Sequence, residues 1–354
     1  MAPNPGSVIK GRGSAFNPVN RFEKLEIEID PEYAEAMLGR PVETEFFLDT
    51  TRQILARNDS PDVSFDYSIN PYRGCEHGCI YCYARPTHEY FGLSAGLDFE
   101  TKILVKRDAP RLLEQAFCSR RWVPQLVVLS GNTDCYQPVE RELRLTRECL
   151  QVFLKYRNPV GILTKNALIL RDLDLLQQLA RDNLVTAAIS VTTLDHGLAR
   201  KMEPRTASPE KRLDALERLV RAGVPASVYV APVIPGLNDH EIPAILKAAA
   251  DRGVRHAVYI LLRLPHSLKE LVQRWLQTHY PARENKVLNL IRDTRAGQLN
   301  DPCFSRRKQG TGARAEAIKR IFELSCQTYG LNQKQVELET RYFRRVSGSQ
   351  RELF

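Results

Sequence analysis

From about Ser64 to Leu264, short apolar runs alternate with longer amphipathic stretches, and this alternation restricts the fold more than any other feature of the sequence. The runs predict strands at Phe65 to Ile69, Leu126 to Leu129, Val160 to Leu163, Thr186 to Val191, Ser227 to Ala231 and His256 to Leu262. Helices are predicted at Arg141 to Tyr156, Asp172 to Arg181, Pro209 to Ala222 and His240 to Asp251. The third has the strongest signals: Ser208 as N-cap, Pro209 in the first turn, and Leu213, Leu216 and Val220 along one face. Strand-helix units repeating every 25 to 40 residues or so give a parallel sheet with helical crossovers, either closed into a barrel or open with helices on both faces. Beyond Leu264 the pattern is mainly helical, at Ser267 to His279, Arg283 to Arg295 and Ala313 to Tyr329, elements expected to cap or flank the sheet. The expected organisation is an N-terminal basic arm and lead-in (1–63), a core (64–280), C-terminal helices (281–330) and a polar tail (331–354). Pro3, Pro5, Gly6, Gly11 and Gly13 mark the arm as mobile.

A chain of 354 residues with 43% hydrophobic and 26% charged side chains can bury one large core or two modest ones, which excludes disorder for most of its length. No apolar run approaches the roughly 18 to 20 residues of a membrane span, and Met1 to Phe16 lacks a signal-peptide core. No membrane association and a cytoplasmic location are therefore expected. The net charge of +9 favours phosphate-bearing partners.

Cysteine placement says more than cysteine number. Cys118, Cys135, Cys149, Cys303 and Cys326 are scattered, whereas Cys75, Cys79 and Cys82 lie together in NPYRGCEHGCIYCYAR, Asn70 to Arg85, directly after the first predicted strand. A tight trio in such a chain points to metal binding or catalysis rather than disulfides. Three thiolates on one loop can hold three irons of a four-iron cluster and leave the fourth open to a small molecule. The alternative is a Cys3His zinc site recruiting His77, His88 or a distant histidine.

The C-x3-C-x2-C spacing, with Tyr81 just before the last cysteine, resembles the signature of the radical SAM superfamily. Asn132 to Asp134, Thr164 and Lys165, Glu203 to Arg212, Ala222 and Gly223, and Ala231 and Pro232 are similar to its branch containing spore photoproduct lyase and the proteins labelled DNA repair photolyases. Gly11 to Gly13, Asp134 to Pro138 and Ala231 to Asp239 resemble one bacterial subgroup of that branch, whose substrate is unsettled. The resemblance implies an α/β fold, a partial (βα)6 TIM-like barrel of the radical SAM type with an N-terminal arm and a C-terminal helical extension. It also implies a [4Fe-4S] cluster on Cys75, Cys79 and Cys82, S-adenosylmethionine on the open iron, and an electron donor such as flavodoxin or ferredoxin.

In such a barrel the reactive groups belong at the carboxyl ends of the strands. Polar clusters fall there at Ser130 to Asp134, Thr164 to Asn166, Ser190 to Thr193 and Pro235 to Asp239. The resemblance places Tyr81 near the adenine and Ser130 to Asp134 where the family contacts the methionine amino group. Asp134 would then accept from the ammonium or simply cap its loop. Lys165 is a counter-ion for the cofactor carboxylate, Ser190 touches the same cofactor, and Arg205 either pairs locally or reaches the cofactor or a substrate phosphate. The lyase's hydrogen-donating cysteine aligns with Gly131, so the nearest thiol is Cys135, with Tyr83 matching a relay tyrosine; a packing role for Cys135 stands beside this.

The thymine-dimer reaction therefore does not transfer directly. Hydrogen abstraction on a nucleic acid, DNA favoured, is the expected class; modification of a peptide, tRNA or small molecule, or a non-catalytic iron-sulfur nucleic-acid-binding protein, are the alternatives. Arg306, Arg307 and Lys308, ahead of Gly310 and Gly312, read as a phosphate cradle or a solvated loop. Tyr342 to Arg345 reads as a single-strand contact or a packed tail. Gln350, Leu353 and Phe354 resemble the pentapeptide that docks on the DNA sliding clamp, or else fold back.

Overall fold

The computed structural model describes residues 8–23 and 42–345. Its strands, in chain order, are β1 (Glu45–Leu48), β2 (Ala56–Arg57), β3 (Tyr67–Ile69), β4 (Tyr72–Arg73), β5 (Lys102–Val105), β6 (Val127–Leu129), β7 (Val160–Thr164), β8 (Val185–Ser190), β9 (Ala226–Val233) and β10 (His256–Leu261). The six predicted strands, β3, β6, β7, β8, β9 and β10, lie side by side in sequence order, each pair parallel. Continuous apolar runs such as Val160–Thr164 suit strands covered on both faces, and β7 and β8 are buried almost throughout. β2 pairs antiparallel outside β3, and the edges β2 and β10 do not meet among the described residues. The sheet is thus an open, partial (βα)6 barrel.

The helices cover this sheet. In Pro209–Arg221, the Ser208 hydroxyl accepts from the Lys211 N–H, and Leu213, Leu216 and Leu219 are buried, with Val220 at the margin of the same face. The predicted helix from Arg141 to Tyr156 is instead two, Glu140–Leu143 and Leu145–Tyr156, broken at Arg144 with φ 54°. The break has a cause: the buried Glu140 carboxylate accepts from the Thr146 N–H and so caps the second helix from outside it.

A second sheet, β1-β5-β4, lies outside the predicted pattern. The N-terminal stretch is hydrogen-bonded to the rest of the protein where it is described. Arg12 donates to the carbonyls of Glu100 and Val42, and the Gly13 and Ser14 N–H groups donate to the Glu100 carboxylate at 2.9 and 2.8 Å. The polar tail is likewise docked up to Arg345. The Asn332 side chain bonds both backbone groups of Ala257 on the edge strand, and Phe343 packs on Phe117 and Tyr156. The Tyr342 to Arg345 segment is therefore the packed tail, with Arg344 and Arg345 donating to carbonyls of Lys155 and Trp122. The clamp-like Gln350, Leu353 and Phe354 lie outside the described residues. Among the described residues, no helix is long and apolar enough to cross a membrane.

Candidate active site

The cysteine loop leaves β4 at Arg73 and is fixed from beneath by one arginine. Arg85, fully buried, donates to the carbonyls of Cys79, Gly78, Ala95 and Gly96 and pairs with Glu100 at 2.5 Å. Gly78, at φ 67°, abuts Gly13: a Cβ on Gly13 would sit 1.8 Å from the Gly78 carbonyl oxygen. The short Gly-Arg-Gly segment is thus a clamp on the loop, not a nucleotide loop.

Cys75 and Cys79 are buried and Cys82 is partly exposed, and all three thiols are free. Burial raises the pKa of Cys75 and Cys79; the neighbouring cysteines add to it, and the Asp134 backbone N–H donating toward the Cys75 sulfur opposes it. Thiols so placed become stable anions once a metal replaces their protons. His77 faces Asp134 through Nδ1 and Asn166 through Nε2; His88 Nε2 lies 2.9 Å from the Lys102 carbonyl, while its buried Nδ1 has no hydrogen-bond partner among the described residues. Among the described residues, no group of three or more His, Cys, Asp or Glu is gathered for a single metal ion. Three free cysteines on one loop fit a polynuclear cluster.

Asp134 organises those strand ends. One carboxylate oxygen accepts from the Thr164 hydroxyl and the Tyr136 N–H, the other from the Lys165 N–H at 2.8 Å, with His77 at 3.3 Å. Burial would raise its pKa, but the facing His77 ring and these hydrogen bonds outweigh burial and hold it at about 2. These bonds are the loop-capping arrangement. Ser130, at φ 74°, accepts from the Cys135 N–H and closes the same turn. Cys135 itself is a correction: it is fully buried in the main core, where its carbonyl accepts from Thr146. The turn after β6 sends its side chain inward, so the structure does not bring it to the site. Cys135→Ala is expected to cost about 1 kcal/mol of stability, read by thermal melting, and to leave 5′-deoxyadenosine formation unchanged.

Tyr81 is buried, and its hydroxyl donates to Glu203, whose carboxylate also accepts from Thr192 at 2.6 Å and from Arg212. Arg212, 1% exposed, reaches the Ser190 carbonyl as well, tying the end of β8 to the same network. Lys165 projects over the Tyr81 ring, 5.8 Å from its centroid, and among the described residues it has no carboxylate partner. Its charge also acts on Cys79. Arg205 pairs with Glu76 at 3.1 Å and bonds Thr44, which is the local reading. Tyr83 is 47% exposed, donates to the Gly131 carbonyl, and carries Arg263 over its ring. Arg307 and Lys308 are no free phosphate cradle, because both hold Asp62, and Arg306 pairs with Asp301.

The sequence reading missed the roles of Arg85, Glu100, Glu203, Arg212 and His77. Glu203 and Arg212 did carry a signal, as opposite charges bracketing a capped helix start.

A profile of the radical SAM superfamily matches residues 69–249. The chain belongs to the radical SAM superfamily. Members use a [4Fe-4S] cluster and S-adenosylmethionine. An uncharacterized protein of Mycobacterium tuberculosis (strain ATCC 25618 / H37Rv) is 34% identical over 242 residues, covering 67% of this chain and 71% of that one. A protein of Pseudomonas phage M6, named radical SAM Nalpha-GlyT isomerase, is 23% identical over 64% of this chain and 46% of its own. In fold the chain is similar to spore photoproduct lyase. The lyase solved with dinucleoside spore photoproduct gives a TM-score of 0.55 at 17% identity, over 80% of this chain and 77% of that one. A form solved with AdoMet as well gives 0.52.

Proposed function

We propose that this protein holds its cluster on Cys75, Cys79 and Cys82, cleaves S-adenosylmethionine reductively, and directs hydrogen abstraction at a nucleic acid, DNA favoured. A cluster held by these three thiolates would supply the one-electron reduction that cleaves the sulfonium of S-adenosylmethionine. The chain's own residues bind and orient. Lys165 offers an unpaired ammonium to the cofactor carboxylate. Tyr81, fixed by Glu203 and Arg212, offers a held ring to the adenine. The end of β8 at Ser190 is tied to that network through its carbonyl. Asp134 positions rather than ligates, setting the Lys165 backbone and the loop beside Cys75.

The observation that carries this reading is three free thiols on one braced loop, beside a cation with no carboxylate partner at the strand ends. The nucleic-acid part draws on the fold shared with a lyase solved with a dinucleoside and on the basic net charge of +9. A thymine-dimer reaction through Cys135 is not part of the proposal, because that thiol lies in the core. An electron donor such as flavodoxin or ferredoxin and a cytoplasmic setting complete it. Anaerobic reconstitution with S-adenosylmethionine and dithionite, followed by mass spectrometry with DNA, RNA or peptide pools, tests it. A mass change confined to peptides would reject the nucleic-acid assignment. For the cofactor contact, Lys165→Ala should raise the KM for S-adenosylmethionine roughly 10- to 100-fold, as expected for losing a charge-assisted hydrogen bond of about 1.5–3 kcal/mol. An unchanged KM would remove Lys165 from the cofactor site.

A further inference from the structure

A guanidinium without an anion stands beside the cysteine loop. Arg263 follows the end of β10, and among the described residues it has no carboxylate or hydrogen-bond partner; its Nε is buried and unpaired. It lies over the Tyr83 ring, with the guanidinium carbon 5.5 Å from the centroid. Among the described residues Arg307, Lys308 and Arg295 are its cationic neighbours, and Asp62 is the carboxylate that faces Arg263, Arg307 and Lys308. That carboxylate is spent on Arg307, while Lys308 takes the Asp62 carbonyl at 2.5 Å. Folding alone does not favour this arrangement, since a partly buried cation among like charges loses hydration without gaining a counter-ion. A bound anion would supply what is missing.

Two features narrow the anion. S-adenosylmethionine brings a single carboxylate, which the proposed function assigns to Lys165, over Tyr81 and acting on Cys79. Arg263 belongs to the other flank of Cys82, through Tyr83. A planar guanidinium fork matches two oxygens of a phosphate, and the half-exposed Tyr83 ring offers a stacking face next to it. We propose that Arg263, with Tyr83 beside it, is the subsite for a backbone phosphate of a single-stranded or locally opened nucleic-acid substrate, Arg307 and Lys308 staying on Asp62 and adding only their charge. The inference rests on the nucleic-acid reading above.

The test titrates the full-length reconstituted protein into fluorescently labelled single-stranded DNA and RNA by anisotropy over a range of salt concentrations, with thermal melting in parallel. Arg263→Gln should weaken binding roughly 10-fold or more and make the log–log salt slope shallower by about 0.7, the value for one lost phosphate contact on a single strand. Its melting temperature should hold or rise, because an unpaired cation has been removed. Arg263→Lys should keep most of the slope while binding more weakly than wild type. If Arg263→Gln binds like wild type, the subsite is overturned and the nucleic-acid reading stands. A lowered melting temperature with an unchanged salt slope identifies a structural arginine and also overturns it. If the wild type binds neither DNA nor RNA but does bind an acidic peptide pool, both readings fall together.

Discussion

Cys75→Ala, Cys79→Ala and Cys82→Ala should each reduce 5′-deoxyadenosine formation to the assay background. The expectation follows from ligand count: the three thiolates fill three irons and leave one open, so losing a single thiolate removes a corner of the anchor. Burial sharpens the effect, because it raises the pKa of Cys75 and Cys79 and disfavours their thiolates unless a metal is bound. Among the described residues no group of three or more His, Cys, Asp or Glu is gathered that could hold a metal in their place. Iron and sulfide content, the visible absorption of the reconstituted protein and chromatography of the products read the result. A variant that keeps the wild-type rate, or a wild type purified anaerobically with one zinc and no iron, would refute the assignment. Cys149→Ala is the matched control, since that thiol lies in the main core with Cys135.

What the sequence made legible, and what it hid, divides along physical lines. β6, β7 and β8 were visible as apolar runs because they are mostly buried, whereas the partly exposed β3, β9 and β10 showed through β-branched and aromatic content, and Ser208 with Pro209 marks a helix start by local chemistry alone. β1, β4 and β5 were hidden because they are short and their pairing joins distant segments, Glu45 to Lys102 and Tyr72 to Val105, which no local period records. The N-terminal segment read as mobile because Gly11 and Gly13 read as flexible linker. Gly13 is instead small because a carbonyl lies where its side chain would be. Charges given no role by the sequence proved to be the internal frame of the site, Arg85 with Glu100 and Arg212 with Glu203. Cys135 shows the limit of adjacency. It directly follows Asp134 in sequence, yet the turn closed by Ser130 turns one residue toward the strand ends and the next into the core.

Arg85→Met should destabilise the protein by about 3–5 kcal/mol, the range for breaking a fully buried ion pair from one side, and lower the melting temperature on the order of 10 °C. Both side chains are completely buried, so solvent cannot compensate. The substitution strips a donor from the Gly78 and Cys79 carbonyls, within the stretch between the first and third cysteines, and leaves the Glu100 carboxylate without its cation. Glu100 would still accept from the Gly13 and Ser14 N–H groups, so the N-terminal clamp should weaken rather than vanish. Iron retention should therefore fall together with stability. Adding Glu100→Gln to the Arg85→Met protein should recover part of the loss, because an amide costs less to bury unpaired than a carboxylate does. With the single Glu100→Gln protein and the wild type, these two variants form a double-mutant cycle whose coupling term isolates the pair. A single Arg85→Met protein melting within about 2 °C of wild type with full iron content would show that the loop is held by its backbone contacts alone.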